Sequence, residues 1–200
     1  RTNSEYHNFY DVVRGVTKRL STQPAGAAQT TISGLTAFGS DGFTVGAADT
    51  ANQNSQSFVA WNWKETADAG FDIVSYTGTG SNRTVAHNLG VVPQMIIVKR
   101  YNDGTASWMV YHQSLGNNKY LSLDATAAED TGHWNSTSPT ASVFSVDTDQ
   151  RVNANGASYI AYVFAQKQGL SRFGSYVGNG NADGTFIYTG FKPAWVMTKT

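Results

Sequence analysis

Polar and apolar positions alternate along much of this chain, and the alternation breaks at clusters of Gly, Asn and Asp. Period two marks a half-buried strand, and such clusters supply turns. Over residues 71–165 the pattern predicts seven strands: 71–76, 84–87, 95–99, 107–112, 119–123, 142–146 and 158–165. Met95-Ile96-Ile97-Val98-Lys99 is the most apolar of them and is expected at the centre of a sheet. Helix signals are few. One turn is expected at 124–129, where Asp124 precedes Ala125, Ala127 and Ala128, and a weaker one at 11–20. The expected class is all-β, an antiparallel sandwich.

The strand pattern repeats. Ser75, Tyr76, Gly78, Gly80, Gly90, Pro93 and Lys99 recur 100 positions later as Ser175, Tyr176, Gly178, Gly180, Gly190, Pro193 and Lys199. Residues 1–65 align without a gap to 102–166 at an offset of 101, with 14 identities. Tyr10/Tyr111, Leu20/Leu121, Phe43/Phe144 and Asn52/Asn153 are among them. That is roughly three times what composition supplies by chance, and a fixed period indicates an array of one supersecondary unit. The expected organisation is tandem antiparallel β-sandwich modules of about 100 residues. Residues 1–65 are the C-terminal two-thirds of a first unit, 66–169 a complete unit, and 170–200 the N-terminal third of a third. Either the array continues beyond this sequence or the two partial units complete one another; the longer array is the favoured expectation. Gly78 and Gly178 are then expected at equivalent turn positions.

Composition narrows the function classes. Formal net charge is zero and charged residues make up only 14%, so nothing steers the chain to nucleic acid or to an anionic membrane. No apolar run approaches the roughly 20 residues of a membrane span. Without cysteine there is neither a disulfide framework nor a thiolate metal site.

Candidate chemistry is sparse. His7, His87, His112 and His133 stand at no metal-ligand spacing. Asn179-Gly180-Asn181-Ala182-Asp183-Gly184 begins like a calcium loop, but Gly190 stands where the bidentate acid belongs, and a hairpin turn explains the loop better. Asp124, Glu129, Asp130, Asp147 and Asp149 offer carboxylates for glycoside hydrolysis only if two of them face one groove. No nucleophile elbow or phosphate loop is present. No catalytic residue, metal or cofactor is expected. Val59, Trp61 and Trp63 alternate on one strand face, as do Ile160, Tyr162 and Phe164, so Trp61 and Trp63 are expected in a core. Trp134, between His133 and Asn135 in a polar stretch, is better placed to stack on a glycan. His133, Trp134 and Asn135 are therefore the candidate ligand-binding residues.

The phrases FDIVSYTGTG, VAHNLGVVPQMIIVKR, WMVYHQSLGNNKYLSL and SYIAYVFA resemble a tandem repeat of virion structural and tail-fibre proteins of tailed bacteriophages, marine ones especially. So do VVRGVTKRL and FVAWNWKE before them and FGSYVGNGNADGTFIYTGFKPAWVM after, so that the resemblance covers essentially the whole chain. The short phrase HNLGVVP is also similar to one in H-type lectin-like modules of phage tails, which are trimeric β sandwiches. The resemblance implies a non-enzymatic virion protein on the particle surface, a tail fibre or other appendage displaying its repeats or binding host-surface glycan. It implies a homo-oligomer, with a trimer as the guess for a fibre, in contact with other virion proteins. A capsid decoration or head-fibre protein and a carbohydrate-active enzyme are the alternatives.

Overall fold

A computed structural model describes residues 7–22, 26–102 and 106–199 of the chain. Asn102-Asp103-Gly104, one of the Asn/Asp/Gly clusters whose composition predicts a turn, lies mostly outside those residues. The fold is all-β, with several antiparallel sheets. In chain order the elements are β1 (Asn8–Phe9), β2 (Lys18–Ser21), β3 (Gln29–Thr30), β4 (Leu35–Phe38), β5 (Phe43–Val45) and helix α1 (Asp49–Asn52). Then come β6 (Phe71–Thr77), β7 (Arg83–Ala86), β8 (Met95–Arg100), β9 (Met109–His112), β10 (Lys119–Ser122) and β11 (Asp130–Thr131). β12 (Val143–Val146), helix α2 (Gln150–Asn153) and β13 (Ser158–Phe164) end the series.

The main sheet has six strands in the order β11-β10-β9-β8-β13-β6. β8 lies inside it, between β9 and β13, where an apolar run buried on both faces belongs. Its alternate residues serve two cores. Ile96 and Val98 face the paired strands β7 and β12, and meet Val85, Phe144 and Val146 there. Met95 and Ile97 face the other way, into a cluster with Trp108, Val110, Ile160 and Tyr162. That second face is covered by the chain's first segment, from which Leu20 is fully buried and Phe9 and Ala28 pack alongside. Asp11, buried with Arg14 at 2.6 Å, accepts a hydrogen bond of 2.7 Å from the Tyr162 hydroxyl.

The first segment repeats the pairing of the main sheet. β1 and β2 pair Asn8 with Ser21 and Phe9 with Leu20; β9 and β10 pair Met109 with Ser122 and Val110 with Leu121, each number 101 higher. β2 and β3 pair Lys18 with Thr30 and Arg19 with Gln29; β10 and β11 pair Lys119 with Thr131 and Tyr120 with Asp130, again 101 higher. Helices α1 and α2 are offset by the same number. So are Ser55 and Gly156, which share a left-handed φ of 60° and 72°. A strand register specifies every side chain's face, so equal registers mean equal faces.

Three local expectations fail. Residues 124–129 form no helix: the Asp124 carboxylate expected to cap it accepts instead from Trp108 N, at 3.1 Å. Residues 11–20 form turns and then β2. Gly78 is pressed against the Ala154 carbonyl, where a Cβ would collide, whereas nothing lies within 4 Å of the same point on Gly178. The counterpart of Ala154 is Gln53, and it does not reach Gly178 in this arrangement.

Candidate functional site

The stretch His133-Trp134-Asn135 turns inward before it turns out. His133, Asn135 and Ser136 take left-handed φ values of 75°, 50° and 46°, which fold the loop tightly back on the sandwich. The Trp134 indole is buried in the core between the sheets, donates from Nε1 to the Lys119 carbonyl at 2.9 Å, and lies edge-on to Tyr111. It presents no ring face to a glycan. His133 is buried too, stacked on Tyr120 with ring centroids 3.9 Å apart. Asn135 alone is exposed, and its Oδ1 accepts from Asn82 Nδ2 at 2.7 Å.

Electrostatics around His133 are self-contained. Among the described residues neither ring nitrogen has a hydrogen-bond partner, and Asp149 Oδ2 stands 3.9 Å from Nδ1. Burial pulls the imidazole pKa down against the pull of Asp149, so the ring is neutral. Asp149 itself caps α2 by accepting from Arg151 N and binds the Arg151 guanidinium at 3.0 Å. Burial raises its pKa, but those Arg151 bonds outweigh it and hold the carboxyl low. Arg151 continues to the Tyr120 hydroxyl at 3.0 Å, which donates to Asp130 at 3.3 Å. Every charge in the chain of contacts has its partner inside the protein.

The other acids are also engaged in holding loops. Asp147 accepts from the amides of His133 at 2.7 Å and Asp149 at 2.8 Å; Asp124 accepts from Trp108 N at 3.1 Å; Glu129 pairs with Lys119. An open groove of about 380 Å³ formed by residues 166–169, 171–172 and 188–190 carries Lys167 and Arg172 and no carboxylate. Among the described residues no three His, Asp or Glu side chains group as a metal site. In the 179–184 loop, Asn179 Oδ1 accepts from Asn181 N at 3.1 Å and Asn181 Oδ1 from Asp183 N at 3.2 Å, which uses those oxygens in successive turns.

Asn153 organises the polar end of the sandwich, a role not read from the sequence although its identity with Asn52 was visible there. Its buried Nδ2 donates to Ser81 O and Asp147 O, both at 2.7 Å, and its Oδ1 accepts from Thr79 N at 2.9 Å. The turn at 79–82 is thereby fixed beside residues 135–137, and the exposed Asn82 and Asn135 amides meet above it. The result is an exposed loop surface of amide and hydroxyl groups.

A second surface is aromatic. Trp61 and Trp63, expected in a core, are about half exposed in a stretch that forms no strand among the described residues. Both lie against Trp195, at 6.1 and 6.0 Å between ring centroids, and Trp63 reaches Phe71 and Phe164. The expectation of a core position fails because alternation names no strand to flank this face.

The whole chain, residues 1–200, matches the family described as Domain of unknown function (DUF7483). It belongs to that family. No curated protein and no solved structure matches the chain. DUF7483 membership therefore comes with no substrate, ligand or partner, and the geometry above is what bears on function.

Proposed function

We propose that this chain is a non-enzymatic structural protein of a tailed-bacteriophage virion, part of a tail fibre or other appendage. Its repeated β units display polar loops on the particle surface for contact with host-surface glycans. The carrying observation is the shared strand register 101 residues apart, since a duplicated β unit suits an appendage that presents the same loops more than once. Supporting it, the candidate acids hold loops, the His133 ring is buried against Tyr120, and the groove formed by residues 166–169, 171–172 and 188–190 lacks the carboxylate pair that glycoside hydrolysis needs. Amide pairs such as Asn82 and Asn135 on a rigid loop end offer the hydrogen-bonding groups a sugar hydroxyl requires. Particle appendages follow particle symmetry, so the chain acts as a homo-oligomer, a trimer in a fibre, among other virion proteins.

The test is labelling of purified particles with gold-conjugated antibody raised against residues 71–164. Label at the tail supports the reading, label over the capsid lattice replaces it with capsid decoration, and particles without label overturn it. A host-polysaccharide array then tests adhesion; binding that survives in Asn82→Ala with Asn135→Ala removes the amide pair from it.

A further inference from the structure

The three-stranded sheet β3-β2-β1 is half of the six-stranded one, ending at β1 where the main sheet continues with β8, β13 and β6. Counterparts of those three strands exist in this chain: residues 195–199 for β8, 57–63 for β13 and 173–177 for β6. None forms a strand in the present arrangement. Their exposed side chains are the counterparts of buried ones. Val59, Trp61, Trp63, Trp195 and Met197 are 48–75% exposed, while Ile160, Tyr162, Met95 and Ile97 are 8% or less exposed and Phe164 packs on the same cluster. Alternate large apolar residues left on one face of a segment mark a surface meant to be covered.

Three observations say what covers it. First, the two segments already meet: the register of β13 on β8 pairs Phe164 with Met95, and their counterparts Trp63 and Trp195 are in ring contact at 6.0 Å. Second, equivalent residues lie together. Trp63 lies edge-on to its own counterpart Phe164, and Phe9 and Leu20 share one cluster with their counterparts Val110 and Leu121. Contact between equivalent residues is the mark of an isologous, two-fold arrangement. Applied once more, a two-fold returns residues 170–199 to the neighbourhood of 57–63. Third, Asn52 is half used. Its Nδ2 donates to Gly46 O at 3.0 Å as Asn153 does to Asp147 O, but Asn153 also holds the 79–81 turn. The matching turn at 179–181 is formed: Asn181 N donates to Asn179 Oδ1 as Ser81 N does to Thr79 Oγ1, and Gly80 and Gly180 have φ of 70° and 65°.

We infer that residues 57–63 insert between residues 173–177 and 195–199 of the same chain, completing a second sandwich on β1-β2-β3. It packs against the 71–164 sandwich about an approximate two-fold axis. The transferred register pairs Ser57 with Val177, Phe58 with Tyr176, Ala60 with Gly174 and with Thr198, and Trp61 with Met197. Asn52 then receives the 179–181 turn, and Gly178 meets the Gln53 carbonyl as Gly78 meets that of Ala154. The pairing is independent of any role in a virion.

The chain has no cysteine, so engineered pairs report cleanly. Directly opposed residues on antiparallel strands have Cα atoms about 4.5–5.5 Å apart, within disulfide reach. Residues 1–200 carrying Ala60→Cys with Thr198→Cys, or Ser57→Cys with Val177→Cys, are expected to form an intramolecular disulfide nearly completely under mild oxidation and to remain monomeric in non-reducing gels. The off-register pair Ala60→Cys with Lys199→Cys is expected to form several-fold less. Disulfide-linked dimers would assign the partner strand to a second copy and overturn closure within one chain. Equal linking of the off-register pair, or no linking in either matched pair, would overturn the pairing itself. Ser57 and Val177 are exposed, so the second pair reads the outcome even where the first perturbs folding.

Discussion

Replacing Asn153 by Ala removes a side chain that joins two loops from inside the protein. Three hydrogen bonds go with it: two from Nδ2, to Ser81 O and Asp147 O, and one to Oδ1 from Thr79 N. Each buried bond of this kind contributes about 0.5–1.5 kcal/mol net, so the expected loss is about 3 kcal/mol. For a chain of this size that corresponds to a fall in Tm of about 6–12 °C. Urea unfolding followed by tryptophan fluorescence measures it, with the slope against denaturant checked for constancy. Asn153→Asp should lose more, because it turns the donor toward two carbonyl oxygens into a third oxygen. A loss under about 0.5 kcal/mol for Asn153→Ala would refute the assignment of the loop end to this amide. Equal losses for the two variants would refute the direction in which the amide donates.

Ile97→Ala should cost about 2–5 kcal/mol by the same assay, since Ile97 is buried on the central strand β8; under about 0.5 kcal/mol would place that strand at an edge. Lys99 is buried, its Nζ donates to the Ala106 carbonyl, and burial lowers its pKa from 10.5 to about 8. Between those values the unfolded chain holds the extra proton, so stability rises with pH from about 8 to 10.5, and Lys99→Met flattens that rise in Tm measured against pH. His133 titrates in the fold below its usual 6.5 because burial disfavours the cation, so stability falls as pH drops through the interval below 6.5. His133→Phe keeps the stacking on Tyr120 and should remove part of that acid loss; burial shifts His87 and His112 the same way, so the rest persists.

The strands were legible because alternation and turn chemistry act over a few residues. All seven expected segments between 71 and 165 coincide with strands, and only the two-residue β11 was passed over. The four-residue helices α1 and α2 carry too few positions to show a helical period, and Asp149, which caps α2, reads equally well as a turn residue. Trp134 was misplaced because its neighbours Gly132, His133, Asn135 and Ser136 are those of an exposed turn. What draws it inward is the Lys119 carbonyl, fifteen residues away in sequence and beyond any local pattern. Trp61 and Trp63 fail differently: their counterparts are the buried Tyr162 and the partly buried Phe164, but burial needs a flanking strand, and sequence periodicity names no partner. The Asn153 network was half visible, since an Asn retained at 52 and 153 in polar surroundings points to a fixed backbone contact without saying which turn it holds.

The duplicated β frame is most directly tested by cross-strand nuclear Overhauser contacts in residues 1–200. The account predicts the same set twice: Phe9 with Leu20 and Lys18 with Thr30, matching Val110 with Leu121 and Lys119 with Thr131. Contacts for the second set alone, or a first set shifted by one residue, would contradict it, because such a shift turns Leu20 away from the core it shares with Trp108.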